Sequence, residues 1–327
     1  MSQEKTRIAR IVDRKVEDFV PPGTQLFEPD EKSREGRIVP EVVFTYGSRK
    51  HLAGGIIKVL PKMVSAIKNR SKGFRDLKKN PSASVAERYA EPEIFRELEN
   101  FARSLGCESI GYTKVPHYLV FSNYKTLSEN AIILTIAMDK KEMAQAPTIA
   151  AGREVWRTYD SLGLIVNKIA AFLRERGFAA QAGSPLGGEA NYPRLAQRAG
   201  LGQIGKQGVL ISPGLGPSQR IAAVYTSIEN LPGTGKNAAA EENPHAWIAD
   251  FCESCNRCVE KCPAGAIYKE KPLMEDGGPK HIDHIKCAMP FSKTMGCSVC
   301  IAECVFFKGD YEKIKAGFFI HEPTSCR

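Results

Sequence analysis

The alternation of apolar and polar positions is clearest from Pro92 onward. Ile94, Phe95, Leu98, Phe101, Ala102 and Leu105 recur at helical spacing, with Pro92 suited to a first turn and Gly106 to a stop. Leu162, Ile165, Val166, Ile169, Phe172 and Leu173 form a second stripe, which Gly177 ends. Between and after these helices, Ile110 to Thr113, Ala131 to Met138, Val209 to Ile211 and Arg220 to Thr226 read as strands. Arg194 to Arg198 reads as a further helix, and Pro213-Gly214-Leu215-Gly216-Pro217 as a turn. Before Pro92 the pattern is weak. Val20-Pro21-Pro22-Gly23 and Phe27-Glu28-Pro29-Asp30 are turn-rich, and only Ile56 to Ile67 fits a short amphipathic helix. Helices and strands mixed in this way predict an α/β or α+β layer architecture.

Cysteine usage changes this picture most. Of ten cysteines only Cys107 lies in the first 250 residues, and the other nine fall between Cys252 and Cys326. A secreted disulfide scaffold is short and has cysteines throughout, so the cluster indicates metal sites in a reducing compartment. The stretch 232–246, rich in Pro, Gly and Ala, reads as a linker. The expected organisation is an N-terminal region of undefined role (1–90), a cofactor-binding domain (91–235), a cysteine module (245–310) and a tail (311–327). Met1 to Arg7 carries no apolar signal core, and no apolar run reaches the ~20 residues of a membrane span. A cytoplasmic protein away from the membrane is therefore expected. The net charge of +9 gathers partly at Lys68, Arg70, Lys72, Arg75, Lys78 and Lys79. Aromatics do not interleave with these residues, so a solvated basic face is expected and a nucleic-acid platform is disfavoured.

The spacing Cys252-x2-Cys255-x2-Cys258-x3-Cys262-Pro263 is that of bacterial ferredoxins. Three thiolates two residues apart can wrap one face of a cubane, while the fourth, turned away by the proline, reaches a second cluster. Zinc is the rival reading, although tetrahedral zinc favours paired CxxC knuckles. Cys297-x2-Cys300-x3-Cys304 is a second, altered run, and Cys287 upstream supplies its missing ligand. The eight thiolates then divide into Cys252, Cys255, Cys258 and Cys304 for one [4Fe–4S] cluster, and Cys262, Cys287, Cys297 and Cys300 for the other. A [3Fe–4S] second centre without Cys287 is the alternative. Cys107 and Cys326 are left over, as a small buried hydrophobe or a tail thiol.

Upstream lies Ala199-Gly200-Leu201-Gly202-Gln203-Ile204-Gly205-Lys206-Gln207-Gly208-Val209-Leu210-Ile211-Ser212-Pro213, then Gly216-Pro217 and Arg220. This segment resembles the signature of cobalamin-dependent reductive dehalogenases and of their relatives, the epoxyqueuosine reductases. Both families set it ahead of a two-cluster ferredoxin module with an offset cysteine, here Cys287. The resemblance covers about residues 92–310. It implies an α+β fold, with a nitroreductase-like α/β cobalamin-binding domain and a C-terminal ferredoxin-like module.

It further implies a base-off corrinoid, and Asp283-His284 lacks the D-x-H-x-x-G spacing that would supply a histidine lower ligand. Gly200, Gly202, Gly205, Gly208, Ser212 and Gly216 become candidate cofactor-binding positions, since glycines let backbone N–H groups approach a large anionic ligand. Two alternatives stay open: glycines that only form tight turns, and a flavin in the same cavity.

The epoxyqueuosine branch carries an aspartate shortly before the glycine run as proton donor. This chain has none from Ser161 to Ala249; Glu189 is the nearest acid, and Leu186 and Gly187 stand about where it would be. The basic residue and I-[ST]-P turn lean toward the dehalogenase branch, which uses a tyrosine donor assisted by a basic residue. Tyr159, placed just ahead of the second helix, is the candidate, with Tyr192 as runner-up. Lys206 and Arg220 are expected to bind a phosphate or substrate anion, or to lower that tyrosine's pKa.

The implied partners are an external ferredoxin or flavodoxin and a small-molecule substrate. Residues 1–90 are left to cover the corrin or to mediate dimerisation. Without a twin-arginine signal, and in a chain shorter than respiratory dehalogenases, membrane-linked respiration is not expected. The competing readings are an electron carrier or corrinoid-protein activator with no substrate of its own, and a tRNA-modifying reductase.

Overall fold

The first long helix is one that its sequence half conceals. In the computed structural model, which describes residues 14–36, 49–234, 243–274 and 276–321, helix α1 runs Arg49–Asp76. Pro61 lies inside it, and an interior proline costs about 3 kcal/mol of helix stability. Tertiary packing offsets this. Val59, Met63 and Ala66 are buried, Lys62 Nζ meets Asp160 Oδ2 at 2.9 Å, and Asn69 Nδ2 donates to Asp160 Oδ1 at 2.9 Å. The expected helix over Ile56 to Ile67 is only the centre of this element.

Next come α2 (Pro92–Ser104), with proline in its first turn, and strands β1 (Ser109–Lys114) and β2 (Asn130–Ala137). Helix α3 spans Ile149–Glu175, starting well before the Leu162 stripe that marks it in the sequence. Its first half carries polar residues that are buried and paired. Glu154 binds Arg157 at 2.6 Å and accepts the Asp139 N–H at 2.7 Å. Strand β3 (Ala180–Gly183), helix α4 (Tyr192–Arg198), the short ribbon β4 (Gln203–Ile204) and β5 (Leu210–Ile211), and β6 (Gln219–Thr226) complete this half.

Strands β1, β2, β6 and β3 form one sheet in that order, antiparallel throughout, with Ile132 opposite both Tyr112 and Val224. β2 is apolar, rich in β-branched residues and buried along seven of its eight positions, as a central strand covered on both faces must be. The molecule is α+β.

The cysteine-rich part is built from short helices: α5 (Trp247–Cys255), α6 (Arg257–Lys261), α7 (His284–Thr294), α8 (Val299–Ala302), α9 (Val305–Lys308) and α10 (Tyr311–His321). It docks where side chains are missing. A Cβ on Gly152 of α3 would strike the Thr294 carbonyl, and one on Gly216 would strike the Phe306 carbonyl. Trp156 Nε1 donates to the Met295 carbonyl at 3.0 Å.

Two large apolar cores and a small third one result among the described residues. The first fills the sheet; the second joins Val59 and Met63 of α1, Val155, Trp156 and Tyr159 of α3, and Trp247, Cys252, Cys304 and Phe306; the third is Val16, Phe74 and Leu77. Cys107 lies in the sheet core, where burial pushes its thiol up to about 11. Most of the expected linker and Cys326 lie outside the described residues. No helix among the described residues is long and apolar enough to cross a membrane.

Candidate metal and cofactor site

The cysteines reach one another through tight, irregular backbone. Asn256, at φ 49°, turns the chain between Cys255 on α5 and the start of α6; Ser298, at φ 55°, does the same between Cys297 and α8. Asparagine adopts this left-handed region more readily than most residues. The two runs thus share one device: a cysteine, a left-handed residue, and a short helix carrying the next cysteine.

Cys252, Cys255, Cys258 and Cys304 line one narrow cavity, together with Lys206 and Gln207 of the glycine run. Burial pushes Cys258 up to about 11 and Cys304 to about 12, and in each case charge on others of the set adds to it. Cys262, Cys287, Cys297 and Cys300 are mutual neighbours in the same sense. Burial, then Cys297 and Cys262, push Cys287 up to about 11, and Cys300 is raised by burial and by Cys287, Cys297, Cys258 and Cys262. Cys258 is the member of the other set in that group, so the two sets adjoin at Cys300. Among the described residues no three His, Cys, Asp or Glu side chains gather closely enough to hold a single metal ion. The first set instead surrounds a cavity.

The glycine run forms the partition beside that cavity. Lys206 is buried, its Nζ 2.8 Å from Glu253 Oε2 and 2.8 Å from Asn256 Oδ1. Hydrogen bonds from Lys206 and from Lys271 hold the Glu253 carboxyl below the usual range. The Lys206 carbonyl accepts from His281 Nδ1 at 3.2 Å. Burial lowers the His281 pKa, against that hydrogen bond. Gln207 is buried with its Nε2 lacking a hydrogen-bond partner, and it lines both the cysteine cavity and a second, larger one.

The larger cavity measures about 750 Å³ and lies between the sheet half and the cysteine-rich half. Arg34, Arg194, Arg198, Lys271 and Lys280 give it a basic lining, and Asn191, Gln197 and Gln203 add amides. Arg194 is held by Asp276 at 2.6 Å. Cationic and amide groups of this kind fit an anionic ligand rich in hydrogen-bonding groups. Crowded thiols beside an orphaned amide donor fit a sulfur-ligated cluster.

The predicted cofactor glycines divide. Gly208, at φ 79°, lines the large cavity, with His281 packed 2.8 Å from where its Cβ would lie. Gly202, Gly205 and Gly216 are needed for contacts inside the protein, against the Ile211 carbonyl, the Ile211 side chain and the Phe306 carbonyl. Ser212 Oγ accepts from Gln219 Nε2 at 2.7 Å. At Gly200, φ 72°, nothing stands within 4 Å of a Cβ.

Tyr159 sits within α3, not ahead of it, and the Arg220 guanidinium lies over its ring at 3.9 Å. Arg220 Nε also reaches Thr158 Oγ1 at 3.3 Å. Neither Tyr159 nor Arg220 is among the residues lining the large cavity; Tyr159 shares its apolar core with Cys252 and Cys304. Lys206 stands with the cysteines instead. Tyr192 is buried, its hydroxyl 3.2 Å from Glu189. Glu189 itself is sealed, 3.9 Å from Arg70, its carboxyl raised by burial against the pull of Arg70. Glu253, Asn256, Gln207 and His281 escaped the sequence reading. Glu253 and Asn256, each between two cysteines of a ligand run, and Gln207, within the glycine run, carried a local signal; His281 carried none.

Residues 245–268 match the 4Fe-4S binding domain family, a span that holds Cys252, Cys255, Cys258 and Cys262. A tetrachloroethene reductive dehalogenase from Desulfitobacterium hafniense is 30% identical over 222 residues, covering 62% of this chain and 37% of that protein. The chain is closer to the reductive dehalogenases than to the epoxyqueuosine reductases. An epoxyqueuosine reductase from Listeria monocytogenes is 26% identical over 129 residues, covering 37% of this chain and 31% of that protein. Both groups of relatives are oxidoreductases.

The catabolic reductive dehalogenase NpRdhA, solved with 3-bromo-4-hydroxybenzoic acid, superposes with a TM-score of 0.68. That match is 17% identical and covers 96% of this chain and 48% of that one, so it is a likeness of fold. The chain spans little more than a third of the length of the dehalogenase relatives it matches in sequence, 37% for the Desulfitobacterium protein.

Proposed function

We propose that this chain is a reductive dehalogenase-like reductase that uses cobalamin and two [4Fe–4S] clusters to reduce a small molecule. The observation that carries the reading is the partition of Lys206, Gln207 and Gly208, with a four-cysteine cavity on one side and a basic cavity of about 750 Å³ on the other. In this reading Cys252, Cys255, Cys258 and Cys304 hold one cluster, and Cys262, Cys287, Cys297 and Cys300 the other. Arg34, Arg194 and Arg198 hold the anionic tail of a base-off corrinoid, and Gly208 lets the backbone approach it. When bound, the corrinoid supplies a strongly reducing, nucleophilic metal centre.

The protein's own tasks are narrower. The thiolates fix the redox groups in series, and the aromatic residues around Trp247 and Phe306 keep water from the first set. Tyr159 is the proton donor in this reading, with the Arg220 guanidinium lying over its ring at 3.9 Å. Reducing equivalents come from a ferredoxin or flavodoxin in the cytoplasm. The nitroreductase-like description of the sheet half belongs to this reading.

Anaerobic reconstitution with iron, sulfide and cobalamin tests it. About eight irons per chain and a bound-corrinoid Co(II) EPR signal are expected, as two cubanes and one cobalt require. Iron without corrinoid binding would leave the electron-carrier reading in its place. Tyr159→Phe should then lower turnover by about 10²–10⁴-fold with both cofactors still bound. The tRNA-modifying reading has the epoxyqueuosine reductase similarity behind it, but the acid nearest the expected position, Glu189, is sealed against Arg70.

A further inference from the structure

We propose that Lys206 sets the reduction potential of the Cys252, Cys255, Cys258 and Cys304 site; this rests on the reading that the site holds a [4Fe–4S] cluster. Lys206 belongs to the glycine run, remote in sequence from the thiols. Yet its side chain is 2% exposed and lines their cavity. A buried ammonium is costly unless paired, and this one has two partners, both next to ligands of that set. Glu253 follows Cys252 and Asn256 follows Cys255. The backbone N–H of Lys206 also hydrogen-bonds to Cys252, and its carbonyl holds His281. One residue therefore grips the ligand loop at both its main chain and its side chain.

The charges are placed unevenly. Glu253 is 51% exposed and its charge is screened by water, whereas the ammonium is enclosed with the thiols. Reduction of the site takes one electron from a reduced low-potential donor of the ferredoxin or flavodoxin class, which is oxidised by one electron. No bond forms or breaks, and the net charge of the thiolate-ligated core becomes more negative by one. An enclosed cation favours the more negative state and so raises the potential. Its removal also leaves Glu253 without this partner, which acts in the same direction. Neutralising Glu253 does the reverse.

A purely structural clamp predicts otherwise. Breaking the ion pair from either side would then loosen the loop alike, and the two variants would behave alike.

The test uses the full chain, reconstituted anaerobically and titrated under EPR, with iron content measured on each sample. The wave belonging to this site is the one lost in Cys258→Ser. Lys206→Gln is expected to move it to a more negative potential, Glu253→Gln to a more positive one, and Lys206→Arg to leave it close to wild type. Unchanged potentials in both neutralising variants, or shifts of one sign, at full iron content overturn the proposal. If Lys206→Gln fails to retain iron, Glu253→Gln and Lys206→Arg decide by the same criteria. A wild-type chain that binds no iron overturns the cluster reading instead, and the two failures are distinct.

Discussion

The sheet half and the cysteine-rich half are held in shape by different physics. In the sheet, β2 hides its side chains on both faces, and the helix across it, α3, buries an apolar face over 27 residues. Burial of that kind yields about 25 cal/mol per Å² and needs nothing but the chain itself. In the cysteine-rich half, α6, α8 and α9 are five, four and four residues long. Helices so short do not stand on propensity. The three described non-glycine residues with positive φ, Asn256, Met295 and Ser298, all lie there as well. Each costs about 1–2 kcal/mol relative to ordinary backbone. One half is specified by what it buries, the other by what its thiols bind.

Removing the metal should break the two apart, and it is the largest effect expected. An iron chelator under anaerobic, reducing conditions should abolish hydrogen-exchange protection over residues 247–308. Protection in β2 and β6 should remain within a few fold. Structural metal sites of this kind carry folding free energy themselves. Equal protection with and without iron would show that Trp247, Phe251 and Phe306 suffice to hold the module.

The converse experiment acts on the sheet. Leu134 in β2 is completely buried, and Leu134→Ala should cost about 2–5 kcal/mol in urea or guanidinium unfolding. Iron bound per folded chain should not change. A variant that loses iron in proportion to stability would mean that the two halves fold as one cooperative unit.

The same contrast governs what the sequence disclosed. Ligation is local along the chain, so the cysteine runs could be read from spacing, and α2 was legible because Phe95, Leu98 and Ala102 sit on one face between a proline and a glycine. The start of α3 was hidden because Glu154, Thr158 and Asp160 interrupt the apolar stripe; outside the helix, Glu154 accepts from the Asp139 N–H, Thr158 from Arg220, and Asp160 from Lys62 and Asn69. Helix α1 was obscured by Gly54, Gly55 and Pro61. For Lys206 the sequence suggested a phosphate, a substrate anion or the tyrosine as its target, and the ion pair it makes with Glu253 could not be read. Its partner Glu253 is remote along the chain, and no pattern of residue types announces an ion pair closed by tertiary structure. The glycines were recognised as special, but for Gly202, Gly205 and Gly216 the close neighbour is the protein's own Ile211 or Phe306.

At the seam, Gly216 offers a finer cut. It has φ 56°, and a Cβ there would strike the Phe306 carbonyl. Gly216→Ala should cost about 1–3 kcal/mol by combined strain and displacement. The loss should appear as faster exchange in α9, with β2 unaffected. Faster exchange in β2 would mean that the strain spreads into the sheet, and an unchanged α9 that the seam relaxes without cost.

The smallest effect separates the halves by pH. Asp76, at the end of α1, is buried, which by itself raises its carboxyl pKa; hydrogen bonds from Lys72 and Lys79 outweigh that and hold it below the ordinary value. A carboxylate with a lowered folded pKa adds stability that is present above the unfolded value, near 3.9, and is lost as pH falls through the folded one. Both lysines are substantially exposed, 47% and 68%, so the whole contribution should stay at or below about 1 kcal/mol. Asp76→Asn should therefore be less stable than wild type at pH 6, with the difference shrinking toward zero below about pH 4. Urea midpoints of the two proteins across that range measure it. A gap that stays constant with pH would assign the role of Asp76 to packing at the end of α1 and not to its charge.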